Sequence, residues 1–181
     1  MNHQTTAVES GTNKINSDQD ELIFQHPAAK DGQKVWQLVK DTGVLDLNSA
    51  YCYILLCDHF KKTCMTAWQG NELVGFVSAY VLPETDDTLF IWQVAVSSKT
   101  RGKGVGKRLL KKLLDSDAGK AINRIQATVS PSNKASLALF DSLARELKTE
   151  LKISEGFSSD MFPGGGHEQE DLLTIGPYKQ N

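Results

Sequence analysis

The chain has no apolar run near the ~20 residues that a membrane-spanning helix needs. Its opening stretch, MNHQTTAVESGTNKINSDQD, lacks the apolar core of a secretory signal. Neither a membrane partner nor export is expected, and residues 1–20 read as a disordered polar tail. Cysteine is scarce and odd in number: Cys52, Cys57 and Cys64 lie among apolar neighbours. That pattern fits reduced core thiols of a cytoplasmic protein, not a disulfide scaffold. None has a close C-x-x-C partner, so no metal site is expected. A basic excess is also missing. Twenty Lys and Arg face 22 Asp and Glu, a net charge of -2, so no overall field gathers nucleic acid. Internal repeats are absent as well.

What is present suits one compact domain: 181 residues, 40% of them hydrophobic. Its expected bounds are 21–177, with a short tail at 178–181. ELIFQH (21–26) reads as a short strand. Val35, Trp36, Leu38 and Val39 recur at helical spacing within 28–41, and Gly43 ends that helix. Asn48 or Ser49 caps a second helix, AYCYILLCDHF, apolar on most faces and so expected to be largely buried. TCMTAW and LVGFVSAYV form a hairpin around QGNE. LFIWQVAV is continuously apolar and β-branched or aromatic, which marks a central strand covered on both faces. Strand alternation there sets Trp92 and Gln93 on opposite sides. A helix follows with Val105, Leu109, Leu110, Leu113 and Leu114 on one face. RIQATV is a strand, SPSNKASLALFDSLAREL a helix opening near Asn133, and KTELKI and DLLTIG the last strands. The order predicts an α/β domain, a mixed central sheet of six to seven strands flanked by about four helices.

The central strand feeds TRGKGVGKRLLKKLL (100–114), where glycines and basic side chains crowd a helix start that is already electropositive. Strand, glycine loop and helix together make an anion cradle, with backbone amides and the helix dipole facing the ligand. A phosphate-loop reading needs Ser or Thr after the lysine, and none is there. A dinucleotide fingerprint needs a third glycine where Lys107 stands, and a loop after the first strand, not mid-chain. A plain turn before a solvated basic face is the bland alternative.

The remaining pattern, R-x-x-G-x-G at Arg101, Gly104 and Gly106 after WQVAV, resembles the acetyl-CoA loop of the GCN5-related N-acetyltransferase family. The resemblance implies that family's fold and acetyl-CoA as co-substrate, with no metal. It implies that Val94 and Val96 lie along the pantetheine arm. It further implies that Arg101, Gly102, Lys103, Gly104, Val105, Gly106 and Lys107 surround the phosphates. SPSNKASLALF resembles the family's later segment, which implies cofactor contacts for Asn133 and Phe140. Many members carry tyrosine at the latter place, as the acid for the leaving thiolate. Phe140 has no hydroxyl, so water or another donor must serve.

LDLNSAYCYILLC, LVGFVSAYVLPETDDTLFIWQVAV, TVSPSNKASLALF and FPGGGHEQEDLLTIGP together resemble the branch of that family that acetylates L-2,4-diaminobutyrate in ectoine biosynthesis. The likeness extends over about residues 22–177. It implies a cytoplasmic homodimer that transfers acetyl from acetyl-CoA to the 4-amino group, in the service of osmoprotection. A small zwitterion with an extra ammonium needs carboxylates, a proton acceptor and apolar walls. Asp46 in the LDLN loop, Tyr51, Trp92, His167 and Glu170 are the candidate substrate-binding residues. Glu170, His167 and Asp46 are the candidate catalytic groups, with the choice of proton acceptor open between Glu170 and His167. Each also has a plainer reading: Asp46 as a turn residue, Trp92 as core, and 167–171 as a solvated acidic loop instead of a lid. Rival functions are transfer to another small amine or a peptide, a non-catalytic acyl-CoA-binding regulator, and nucleic-acid binding by the basic helix.

Overall fold

The computed structural model describes residues 21–179, so the expected tail at 1–20 lies outside the described residues. Within them the chain runs β1 (Leu22–Gln25), α1 (Gly32–Thr42), α2 (Ala50–Asp58), β2 (Met65–Gln69), β3 (Glu72–Val81) and β4 (Thr88–Val96). It continues through α3 (Val105–Leu114), β5 (Arg124–Val129), α4 (Lys134–Glu146), β6 (Leu151–Phe157) and β7 (Glu170–Ile175). The strands form one seven-stranded sheet ordered β1-β2-β3-β4-β5-β7-β6. Every pairing is antiparallel except β4 with β5, so the sheet is mixed.

Helices cover one face and part of the other, each through an apolar stripe. On one face α3 buries Val105, Leu109, Leu110, Leu113 and Leu114, and α4 adds Phe140, Leu143 and Ala144. On the other, Val35, Leu38 and Val39 of α1 and Tyr53, Leu56 and Cys57 of α2 pack on Trp68, Phe76 and Ala95. Leu109 is fully enclosed, so cutting it to alanine costs about 2–5 kcal/mol.

Four sequence expectations are corrected. The α2 helix ends at Asp58 and is buried on one side only; Tyr51 and Ile54 stay exposed because it packs on its neighbours through Tyr53, Leu56 and Cys57. The sixth strand starts later than KTELKI and ends later. Lys148, at φ 55, still belongs to the turn after α4, and the strand continues to Phe157. Tyr178 is no tail residue: it is buried in the core and its N–H donates to the Asn123 carbonyl at 2.9 Å. The fourth correction concerns β4 itself. Ser78 pairs with Gln93 and Ala79 with Ile91, which leaves Trp92 as a bulge. Before it, Leu89 and Ile91 face the α3 side; after it, Val94 and Val96 do, while Ala95 joins the α1–α2 side. The bulge thus cancels simple alternation and brings Trp92 and Gln93 to the same side.

Candidate functional site

β4 pairs with β5 only through Thr88–Arg124, Leu89–Ile125 and Phe90–Gln126. Residues 91–96 then run on with no β5 partner among the described residues, so the sheet opens into a wedge toward the end of β4. The chain leaves that wedge through 97–104 into α3. The loop is fastened to the sheet by the Ser97 N–H, which donates to the Val74 carbonyl at 2.9 Å. Gly102 and Gly104 hold φ 77 and 71, and a Cβ on either would meet nothing within 4 Å. Glycine is therefore set there by backbone conformation, not by crowding.

Gly104 precedes the first turn of α3, and no side chain caps it. The first helical bond runs from the Arg108 N–H to the Gly104 carbonyl, 3.0 Å. The amides of Val105, Gly106 and Lys107 therefore precede any intrahelical partner and point out of the helix start. Of the other three helices, α1 likewise has no side-chain cap, while α2 and α4 are closed: Ser49 Oγ accepts from the Cys52 N–H at 3.2 Å, and Asn133 Oδ1 from the Ser136 N–H at 3.0 Å. At Gly106 a methyl would rest 3.6 Å from Val94, Val96 and Leu139, so only a bulkier side chain would fill this gap.

Most of the basic side chains are engaged elsewhere. The Lys107 ammonium turns to Glu146 at 3.3 Å and to Ser142, and Lys111 pairs with the same Glu146. Those lysines hold the Glu146 carboxyl below its ordinary pKa, the Lys111 bond most of all. Arg108 lies over the Phe24 ring at 4.8 Å. Arg101 reaches only the Thr42 carbonyl, at 3.4 Å, and Lys103 is exposed with no ion pair among the described residues. Of the six cations in the stretch, Lys107 and Lys111 are paired, Arg108 lies on Phe24 and Lys112 sits exposed further along the helix, which leaves Arg101 and Lys103 on the loop beside the row of amides. Lys107 keeps its N–H open at the helix start while its charge is turned to Glu146. Asn133 spends its oxygen on the α4 cap, which leaves its amide nitrogen. Phe140, expected at the cofactor, is packed in the core at 4% exposure.

On the sheet face away from α3, Tyr80, Phe90, Trp92, Gln126, Thr128 and Phe157 line a cavity of about 670 Å³. The Tyr80 and Phe90 rings lie 5.3 Å apart along one wall. Trp92 stays 45% exposed, so it is a wall and not core. Leu172 of β7 also lines the space, and Glu170, two residues before it, lies on the same face at the strand's start. Glu170 accepts a hydrogen bond from Ser130 Oγ at 2.7 Å, and Glu168 accepts from the Ser132 N–H at 3.1 Å. Both carboxylates are thereby stitched to the segment that leads into α4. His167 stacks on Phe162, centroids 3.8 Å apart, and its Nδ1–H donates to the Glu168 carbonyl at 2.6 Å. That leaves Nε2 as the basic nitrogen. Behind Pro163 come three glycines at positive φ, so the segment is exposed and glycine-rich up to His167.

Asp46 arrives from the opposite side, on the loop 43–49. Its backbone carbonyl accepts from Gln93 Nε2 at 2.7 Å. Tyr51 is 67% exposed on the outer side of α2. Asp46, on the 43–49 loop, and His167 and Glu170, at the entry to β7, thus come from different elements, and among the described residues no hydrogen bond joins them to one another. Sequence reading missed Phe90, Tyr80 and Phe157 as walls and Gln93 as a partner of Asp46. A polar Gln in the run LFIWQVAV was the available signal, since buried amides persist where they are bonded. Among the described residues no group of three His, Cys, Asp or Glu is placed to hold a metal ion, and no helix is long and apolar enough to cross a membrane.

Comparison with known proteins accords with this layout. The model of the Acetyltransferase (GNAT) family matches residues 25–144. The chain is 44% identical over 171 residues to the L-2,4-diaminobutyric acid acetyltransferase of Marinococcus halophilus, covering 94% of this chain and 99% of that one. It is 48% identical over 156 residues to the protein of the same name from Halalkalibacterium halodurans, covering 86% and 82%. Among solved structures it resembles the diaminobutyrate acetyltransferase EctA from Paenibacillus lautus, solved with L-2,4-diaminobutyric acid and coenzyme A. The TM-score is 0.85 at 45% identity, over 89% of this chain and 98% of that one.

Proposed function

The chain belongs to the acetyltransferase (GNAT) family, and from that premise we propose how its two-sided site works. The protein is a diaminobutyrate acetyltransferase: it transfers the acetyl group of acetyl-CoA to L-2,4-diaminobutyrate. The attacking group is the 4-amino nitrogen and the product N4-acetyl-L-2,4-diaminobutyrate, the precursor of ectoine. The single observation that carries this reading is the geometry of β4. Its far end feeds an uncapped glycine helix start, and its bulge sets Trp92 against an open cavity on the other face.

Acetyl-CoA lays its pyrophosphate on the amides of 104–107, with Arg101 and Lys103 beside it. Its pantetheine arm takes the place of a missing β5 neighbour along Val94 and Val96. The diamine enters from the cavity, its ring-lined wall being Trp92. Asp46 and Glu170 orient its ammonium groups. An alkyl ammonium with a pKa of about 10 must first release a proton. The proposed acceptor is Glu170, with one oxygen bonded to Ser130, or His167, whose Nδ1 is taken by the Glu168 carbonyl. The neutral amine then attacks the thioester carbon. The C–N bond forms, a backbone N–H near Val94 stabilises the oxyanion, and the C–S bond breaks. The newly bonded nitrogen sheds its extra proton, and water relays it to the thiolate, since Phe140 supplies no hydroxyl. No acetyl-cysteine intervenes: burial pushes Cys57 and Cys64 up to about 12, far from a reactive thiolate. The same reading takes residues 21–177, with Tyr178, as one domain working as a cytoplasmic homodimer in osmoprotection.

A CoA-release assay across a panel of diamino acids tests this. Turnover with L-2,4-diaminobutyrate should exceed that with ornithine and lysine. A preference for ornithine would overturn the substrate and leave the family intact. Tight CoA binding without turnover on any amine would instead favour a regulator.

A further inference from the structure

We propose that Gln93 is the positioning residue of the acceptor site, a buried amide that ties the 43–49 loop, and Asp46 with it, to the strand that carries Trp92. The proposal rests on the cavity being the diamine's site. Gln93 is 8% exposed and both ends of its amide are used. Nε2 donates to the Asp46 carbonyl at 2.7 Å, and Oε1 accepts from the Tyr53 hydroxyl at 3.2 Å. Tyr53 is fully buried, and its oxygen in turn accepts from the Asn48 N–H at 3.3 Å. A short chain of bonds therefore holds the loop at two points, on either side of Leu47. The loop has little else to fix it. Leu45 packs on the α1–α2 core, but Val44 is 78% exposed and Leu47 is exposed too.

The position on β4 matters. By the bulge at Trp92, the wall of the cavity and the anchor of the loop are chain neighbours pointing to one side. The separation of Asp46 from Trp92 is then set by one side chain and one backbone step. An apolar residue would suit this face better by burial alone, as Ala95 does two positions on. A buried amide is tolerated where both its ends are bonded, and here both are. L-2,4-Diaminobutyrate and ornithine differ by one methylene, and a site that tells them apart needs its carboxylate held at a fixed distance from its apolar wall.

The test replaces Gln93 by Met, which keeps length and removes both bonds, and by Glu, which keeps an acceptor for Tyr53 but opposes the Asp46 carbonyl. Both variants are compared with Tyr53→Phe, which spares the bond to Asp46. Either Gln93 variant should raise the diaminobutyrate KM about tenfold, leave the acetyl-CoA KM within about twofold, and narrow the preference over ornithine. Tyr53→Phe should raise the diaminobutyrate KM less, by about threefold or under. Independently of any substrate, amide exchange at 44–48 should quicken in the Gln93 variants while that of α3 stays as in the parent. Unchanged exchange at 44–48, or both KM values rising together, overturns the proposal. If the parent itself fails to turn over diaminobutyrate, the proposed function falls, and the exchange readout still decides whether Gln93 holds the loop.

Discussion

The two sides of β4 are built from different materials. On the proposed cofactor side the groups open to a ligand are backbone amides, exposed because the first turn of α3 has no cap. On the proposed acceptor side they are side chains drawn from the 43–49 loop, the bulge and the segment 162–171; Gln93 ties the loop to β4, and Ser130 ties Glu170 to the approach to α4. A backbone site asks only for a conformation, which glycines at positive φ, Gly102 and Gly104, supply within one short loop. A side-chain site asks for several elements to hold their distances, so its information is spread along the chain. The comparison teaches where each side is vulnerable: the first to one added Cβ, the second to one lost hydrogen bond.

Gly104→Val should break the contrast most sharply. A β-branched residue at φ 71 is strained by about 1–2 kcal/mol and tilts the amides, so the acetyl-CoA KM should rise about 30-fold with the diamine KM unchanged. A rise in the diamine KM alone would mean that the loop serves the acceptor. Next, Asp46→Ala and Glu170→Ala should each raise the diamine KM about tenfold and leave acetyl-CoA binding alone; unchanged kinetics in both would remove them from the site.

Phe140→Tyr is smaller in effect. Its ring is in the core, so a hydroxyl there should cost about 1–2 kcal/mol and lower the melting temperature by about 2–6 °C, without a gain in turnover. A faster enzyme of unchanged stability would instead bring the ring edge to the thiol. Alkylation is expected to do least. With Cys57 and Cys64 raised by burial to about 12, thiolate is scarce at pH 8 and grows only as pH approaches 12. Iodoacetamide at pH 8 should leave activity intact, and inactivation prevented by acetyl-CoA would place a thiol in the transfer path.

The same contrast explains what could be read from the residues alone. The element order, the α3 stripe Val105–Leu109–Leu113 and the glycine loop lie within short windows where period and conformation are local properties. The acceptor side was legible only as scattered candidates. Trp92 and Glu170 stood out, but the bulge that turns Trp92 and Gln93 to one side is a register shift between β3 and β4, which neither strand displays alone. Phe90 and Tyr80 looked like ordinary strand residues, since nothing local says that no helix covers their face. The basic cluster misled in the other direction. Glu146, on α4, takes the charges of Lys107 and Lys111, and that pairing joins residues far apart in the chain.

Amide exchange read residue by residue, with and without CoA, tests the division between the two sides most directly. Adding CoA should slow exchange at 104–107, the frayed start of α3, and leave 43–49 as it was. Protection at 43–49 with none at 104–107 would contradict the account.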